Sequence, residues 1–250
     1  MSSPNQNQFT EVADVYDDLM AGVPYALWVR YVRDLWDRYE TDPYRVLDLA
    51  CGTGNVLLEL HRAGYEVEGA DYSAGMLQTA SRKVGRDVRL WHQDARFLNL
   101  PGPPFDACVC LFDSLNYLLE PEHLLQAFHS VRRALREGGS FVFDMNAILA
   151  LEAGMFTQRG TGRDSGLEFD WHSEWDAHRR LCTIRMEFHS HEQAGTRVFH
   201  ETHVQRGYTL DEVQDALETA DFSVLAFHDA FTFRPTHART DRFHCIARAR

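Results

Sequence analysis

The stretch Val46-Leu-Asp-Leu-Ala-Cys-Gly-Thr-Gly-Asn55 decides the fold. A short apolar strand runs into Gly52-Thr-Gly54, and a helix starts at once, with Val56, Leu57, Leu60 and Ala63 on one face and Gly64 as its stop. Apolar side chains spaced by three and four mark a helix buried along one stripe. Glycines at the bend permit main-chain conformations closed to other residues. The same unit then recurs. Residues 65–70 predict a second strand, followed after Ser73 by a helix striped with Met76, Leu77, Ala80 and Val84 and ended by Gly85. Residues 88–91 and 105–111 predict the third and fourth strands. Pro121 opens a helix carrying Leu124, Leu125, Phe128, Val131 and Leu135, closed by Gly138-Gly139, and residues 140–144 predict a fifth strand. Strand–helix alternation with short connections implies a mostly parallel sheet covered on both faces.

On the N-terminal side, Phe9, Val12, Tyr16 and Leu19 predict one amphipathic helix, and Tyr25, Trp28, Val32, Leu35, Trp36 and Tyr39 predict another after Pro24. On the C-terminal side the period changes to two. Leu167, Phe169, Trp171 and Trp175 alternate, as do Cys182, Ile184, Met186 and Phe188, which suggests an antiparallel meander with one dry face over 167–205. Thr209-Leu-Asp-Glu212 is a capping box, with Tyr208 placed to staple onto Val213, and its helix runs to about Ala220. Residues 222–231 and 243–249 predict two closing strands. The expected fold is α/β: a Rossmann-like, mostly parallel seven-stranded sheet with helices on both faces, plus an antiparallel β-insertion. One domain spans 1–250, made of N-terminal helices (1–43), an alternating core (44–145), the insertion (150–207) and a closing helix with two strands (208–250).

A chain of 250 residues with 44% hydrophobic side chains is long enough for a sizeable core, so neither a stapled mini-protein nor a disordered chain fits. Its apolar runs fall well short of the ~20 residues a membrane helix needs. The first ten residues have neither a basic cluster nor an apolar centre, so no signal peptide and a cytoplasmic protein are expected. The 25 Lys and Arg against 37 Asp and Glu leave a net charge of −12, which argues against a nucleic-acid partner. Cys51, Cys108, Cys110, Cys182 and Cys245 lack zinc-type spacing and read as reduced, mostly buried thiols.

Three acids sharpen the glycine loop. Asp48 ends the first strand, where a carboxylate would repel a pyrophosphate but suit an ammonium. Leu57 stands where a dinucleotide fingerprint has its third glycine. Asp71 ends the second strand, 17 residues beyond Gly54, where an acid accepts hydrogen bonds from both hydroxyls of a ribose. Asp94 ends the third, placed to accept from an adenine amino group, with the Ala95 N–H beside it. An amino acid end, a ribose diol and an adenine without phosphate describe S-adenosylmethionine.

The run Leu47-Asp-Leu-Ala-Cys-Gly-Thr-Gly54 resembles the first motif of class I S-adenosylmethionine-dependent methyltransferases. Gly69-Ala-Asp71-Tyr-Ser-Ala-Gly-Met76-Leu resembles their second motif and Gln93-Asp94-Ala95 their third. The run from Phe105 to Tyr117 is similar to their fourth-strand segment, and Leu135-Arg-Glu-Gly-Gly139 to the turn before strand five, although many relatives carry a proline there. The Trp28 helix, Asp113-Ser-Leu-Asn-Tyr117 and the β-insertion resemble the branch with glycine N-methyltransferases and aminosugar N,N-dimethyltransferases.

The resemblance implies that Ala50, Gly52 and Gly54 frame the aminocarboxypropyl arm and that Asp71 takes the ribose. Tyr72 and Met76 would lie against the adenine, Asp94 and Ala95 would read its edge, and Leu111 would lie below the methionine portion. Tyr16 and Trp28 would close over the cofactor from the N-terminal helices, and the insertion would form the acceptor side.

Methyl transfer requires alignment more than acid–base help, since a neutral amine attacks unaided. Asp113 would orient or deprotonate an acceptor amine, or serve only as an N-cap. His189, His191, His200 and His203, with Glu187 or Glu201, lack a zinc motif and read as a polar strand face, so no metal is expected. The expected activity is methyl transfer to a small molecule, at nitrogen in preference to oxygen. The alternatives are a non-catalytic S-adenosylmethionine-binding protein and an RNA methyltransferase.

Overall fold

The computed structural model describes residues 8–9, 11–161, 167–192 and 195–250, and the side chains of 191–192 lie outside it. In chain order the elements are α1 (Tyr16–Leu19), α2 (Tyr25–Arg38), β1 (Arg45–Leu49), α3 (Asn55–Arg62), β2 (Glu66–Asp71), α4 (Ala74–Val84), β3 (Arg89–His92) and β4 (Phe105–Cys110). There follow α5 (Pro121–Ala134), β5 (Leu135–Asn146), α6 (Ile148–Glu152), β6 (Gln158–Thr161), β7 (Glu168–Asp176), β8 (Leu181–Glu192) and β9 (Gly195–Arg206). The last three are α7 (Leu210–Thr219), β10 (Phe222–Asp229) and β11 (Arg242–Ala249).

Seven strands form one sheet in the order β10-β11-β5-β4-β1-β2-β3, and four form a second, antiparallel sheet, β6-β7-β8-β9. In the large sheet β11 runs antiparallel to both β5 and β10, and the other pairs are parallel. The expected seven-stranded, mostly parallel sheet with an antiparallel insertion is therefore present. Chain order reverses between β1 and β4, and a crevice opens beyond the carboxyl ends of strands at such a reversal.

Alternation along the buried strands supplies two cores. Phe141 and Phe143 of β5 pack with Phe128 of α5 and Leu217 of α7 on one face, whereas Val142 joins Leu35 and Trp36 of α2 and Leu57 and Leu60 of α3 on the other. Local signals agree with these layers. Ser73 Oγ accepts from the Met76 N–H to cap α4, and the capping box of Thr209 and Glu212 starts α7. All five cysteines are free and buried. A third cluster packs the insertion against the N-terminal segment, with Phe188, Phe199 and Ile184 beside Val12, Ala13 and Met76.

Three expectations change. The single helix expected over Phe9–Leu19 is a 3-10 turn at Val12–Asp14 and a four-residue α1, and Phe9 takes a positive φ of 58°. Its cause is tertiary: the N–H groups of Phe9, Glu11 and Val12 donate to the carboxylate of Glu201, not to a helical ladder. β5 begins at Leu135, directly after α5, with Gly138 inside it at φ 73°. The strand expected over 222–231 ends at Asp229, where the chain turns and Phe231 takes a φ of 55°.

Gly69 lies where β2 is closest to the first glycine loop. A Cβ there would stand 2.9 Å from Cys51 Sγ and from Leu57 Cδ2, and 3.0 Å from Leu90 Cδ2. Gly69→Ala should therefore cost about 1–3 kcal/mol of folding stability, read from urea unfolding.

His244 on β11 is buried beside the rings of Trp28, Tyr31 and Phe231. Burial, helped by the Arg242 charge and by His228, holds its imidazole down at about 3. The unfolded chain takes up this proton near ~6.5. The stability that neutral His244 contributes is thus present above that value and lost as pH falls toward 3. A full proton difference corresponds to ~1.4 kcal/mol per pH unit. His244→Gln should flatten the decline in stability between pH ~6 and ~4, and equal slopes in the two proteins would contradict this origin.

Candidate functional site

At the β1/β4 reversal lies a cavity of about 620 Å³. It is lined by the loops after β1, β2, β3 and β4, with Phe9 and Tyr16 from the N-terminal segment and Tyr25 from α2. The loop after β1 gives it a bare backbone floor. Ala50, Gly52 and Gly54 all have positive φ, at 57°, 53° and 81°. A Cβ on Gly52 would meet nothing within 4 Å, so its main chain is open to a ligand. Gly54 is different: it does not line the cavity, and a Cβ there would press on Ala80 Cβ at 3.1 Å. Its glycine serves close packing of the loop on α4.

Two acids stand above this floor. Asp48 is 2% exposed, and its Oδ2 has no hydrogen-bond partner among the described residues. Burial first, and the nearby Asp71 charge second, push its carboxyl well above the usual range. Asp71 Oδ2 accepts from the Gly52 N–H at 2.8 Å and its Oδ1 from the Ser73 N–H at 2.7 Å. Burial raises its carboxyl too, against the pull of these two donors. A carboxylate has about four acceptor positions, so valence on Asp71 remains for further donors. Asp94 Oδ1 accepts from the Arg96 N–H at 2.9 Å, and the same oxygens hold the Arg96 guanidinium at 2.6–3.1 Å. Burial opposes its ionisation, but Arg96 keeps it below the ordinary value.

Part of the cavity wall is aromatic. Tyr16, Tyr25, Phe112 and Tyr117 form it, and burial raises the phenol of Tyr25 to about 12. Phe112 and Asp113 take φ of 64° and 49°, a strained pair for non-glycine residues. Asp144 holds them, with Oδ1 accepting from the Phe112 N–H at 2.7 Å and Oδ2 from the Asp113 N–H at 3.1 Å. Arg242 bridges Asp144 and Asp113 and is 2.6 Å from Asp113 Oδ1.

Of the site residues expected from sequence, Tyr16, Asp48, Ala50, Gly52, Asp71, Tyr72, Met76, Asp94, Ala95 and Leu111 all line this cavity. Trp28, Gly54 and Asp113 do not. Trp28 stacks behind Phe112 at 4.1 Å with planes 8° apart, so it supports the wall rather than forming it. Asp113 neither faces the cavity nor caps the turn that follows, because its carboxylate is taken by Arg242 and by Gln205 Nε2 at 2.6 Å.

The histidines also divide. Glu187 spans His189 at 2.7 Å and His200 at 3.0 Å on the outer strand face, whereas His203 is 2% exposed on the inner one. The side chain of His191 lies outside the described residues.

Sequence reasoning missed Asp17, whose Oδ1 accepts from Thr53 Oγ1 at 2.7 Å, Asn55 Nδ2 at 3.0 Å and Lys83 Nζ at 2.8 Å. These bonds tie α1 to the first glycine loop and hold Tyr16 at the cavity. It also missed Tyr117, which is quoted in the fourth-strand segment but carries no local mark of a role.

A family profile described as a methyltransferase domain matches residues 46–139. YqeM of Bacillus subtilis (strain 168), which carries a methyltransferase name, is 30% identical over 232 residues, 92% of each chain. The dTDP-4-amino-2,3,4,6-tetradeoxy-D-glucose N,N-dimethyltransferase of Saccharopolyspora spinosa is 31% identical over 83% of this chain and 84% of its own. A solved S-adenosylmethionine-dependent methyltransferase from Clostridium acetobutylicum superposes with a TM-score of 0.83 at 26% identity, covering 96% of this chain and 98% of that one. The chain belongs to the S-adenosylmethionine-dependent methyltransferases, and S-adenosylmethionine is its methyl donor.

The cavity fits that donor on two structural grounds: the unpartnered buried Asp48 Oδ2 suits an ammonium, and the open Gly52 backbone suits a close-lying chain. Asp71→Ala should weaken S-adenosylhomocysteine binding roughly 10- to 100-fold in calorimetry, the equivalent of one charged hydrogen-bond acceptor lost.

Proposed function

We propose that this methyltransferase acts on the amine nitrogen of a small molecule, held at the aromatic part of the cavity wall. The observation that carries the reading is that one cavity carries two features: the acids Asp48 and Asp71, with Asp48 Oδ2 unpartnered among the described residues, and a wall that includes Tyr16, Tyr25, Phe112 and Tyr117. The first suits the cationic amino acid tail and ribose of the donor, and the second suits a neutral amine facing a sulfonium. The Saccharopolyspora spinosa relative, an amino-sugar N,N-dimethyltransferase by name, supports nitrogen over oxygen.

In this reading Asp48 pairs with the donor ammonium, and Ala50 and Gly52 present backbone to its amino acid arm. Asp71 accepts from the ribose hydroxyls. Tyr72 and Met76 flank the adenine, whose edge meets Asp94 and Ala95, and Leu111 lies under the methionine portion. When bound, the donor supplies a methyl already activated by the sulfonium. The chain's own task is to align the acceptor nitrogen with that methyl, and such positioning is worth up to about 7–11 kcal/mol. Tyr16 offers a ring face near the positive centre, good for about 0.5–2 kcal/mol.

The whole of 1–250 works as one domain, with 44–145 carrying the donor. The N-terminal helices cover the cavity, the insertion at 150–207 stands behind Tyr117 with none of its described residues in the lining, and 208–250 closes the sheet. Five free buried thiols suit a cytoplasmic setting. Among the described residues no helix is long and apolar enough to cross a membrane.

The test is methyl transfer from labelled S-adenosylmethionine to dTDP-4-amino-2,3,4,6-tetradeoxy-D-glucose, glycine, sarcosine, hydroxylated analogues and bulk tRNA. The expected outcome is label on nitrogen of at least one amine. Label confined to oxygen or to tRNA would overturn the reading, as would donor binding without transfer to any acceptor.

A further inference from the structure

A line of buried polar side chains runs from the insertion to Tyr117 in the wall of the cavity. Glu201 and His203 lie two residues apart on β9, so both leave the strand on one face, and they are 5% and 2% exposed. His203 Nε2 is 2.7 Å from Glu201 Oε2, and His203 Nδ1 is 2.9 Å from Tyr117 Oη. Tyr117 lines the cavity.

The chain has a defined direction. An ionised carboxylate only accepts, so in a neutral imidazole the proton sits on Nε2, facing Glu201. Nδ1 then carries a lone pair and receives the Tyr117 O–H. Glu201 is itself fixed in its ionised form. Its Oε1 accepts from the N–H groups of Glu11 and Val12 at 2.9 Å, and its Oε2 from that of Phe9 at 3.0 Å. Burial opposes its charge, but His203 and these donors hold the carboxyl below its ordinary value.

We propose that Tyr117, His203 and Glu201 form a proton relay for the methyl acceptor, with Tyr117 as the catalytic group and the other two acting through it. This rests on reading the cavity as the site of transfer to an amine. As the nitrogen–methyl bond forms and the sulfur–methyl bond gives its electron pair to sulfur, the nitrogen must lose one proton. Tyr117 Oη takes that proton and passes its own to His203 Nδ1. The products are a neutral methylated amine, a neutral thioether and an imidazolium beside the Glu201 carboxylate. The relay returns its proton to solvent after product leaves.

The groups that face the relay leave His203 as the base. From β9 come Glu201 and Gln205, which also bonds the Tyr117 phenol. From the loop after β4 comes Asp113, already paired with Arg242. Cys182 of β8 and Tyr16 lie near Tyr117 as well, and the Phe9 ring covers His203 at 4.5 Å. Burial raises the Tyr117 phenol, so it serves as a shuttle and does not hold charge.

The experiment compares the wild type with Tyr117→Phe and His203→Gln, using dTDP-4-amino-2,3,4,6-tetradeoxy-D-glucose as the probe amine. Both variants should lower kcat by about 100-fold and lose the rising limb of the kcat–pH profile. Their affinity for S-adenosylhomocysteine should stay within about threefold, a loss too small for a collapsed site. A kcat near wild type with the limb intact overturns the relay, as does a loss of turnover matched by a loss of affinity.

Nitrogen NMR of the histidines, recorded without any acceptor, is read separately. A neutral His203 protonated on Nε2 supports the relay. A proton on Nδ1 overturns it, even if the probe amine is never methylated and the amine reading itself fails.

Discussion

Asp48 and Asp71 stand on neighbouring strand ends, the first buried and the second partly so, and together they accept fewer hydrogen bonds than two carboxylates can. Burial raises both carboxyls, and the Asp71 charge raises that of Asp48 further. Without a ligand the arrangement is costly, because desolvated like charges repel. A ligand with a cationic tail and a hydroxyl pair relieves both costs at once, whereas one with phosphates would deepen them. The chemistry of the donor is thus written in the mismatch between acceptors and donors more than in the shape of the cavity. The bare backbone of Gly52 then sets how closely that ligand can lie.

A second set of charges shapes the aromatic wall of the cavity without lining it. Asp144 binds two successive N–H groups and thereby holds Phe112 and Asp113 in left-handed conformations. Burial pushes its carboxyl up to about 6 even with Arg242 beside it. Arg242 comes from β11, near the end of the chain, so the antiparallel closing strands help to fix an aromatic wall built after β4. Trp28 presses on the other side of Phe112. Strain in two residues is therefore held in place by three distant segments.

What the sequence made legible follows from range. Helix stripes, glycine stops and the capping box at Thr209 are local, and they placed the parallel core and α7 with small errors at the ends. The acids at strand ends were legible because each sits at a fixed offset from a loop that the pattern locates. Trp28, Gly54 and Asp113 were misplaced because their neighbours come from elsewhere in the chain: Phe112, Ala80 and Arg242. The broken N-terminal helix has the same origin, since its amphipathic stripe is sound but Glu201, 189 residues from Val12, takes the N–H groups a ladder would use.

Strand parity could have separated the histidines. Phe199, Glu201, His203 and Gln205 alternate on one face of β9, and a phenylalanine among them marks that face as the dry one. A carboxylate and an imidazole on a dry face must find partners, since each is expensive to bury alone. On an exposed strand face, as for Glu187 and His189, water is available to both groups. Here the carboxylate is met by three backbone N–H groups of the segment that carries Tyr16 toward the cavity, and the imidazole by Tyr117 on the cavity's own wall. One buried side chain thereby bonds both the N-terminal segment that leads to Tyr16 and the imidazole that meets Tyr117, so the two sides of the cavity wall share one anchor.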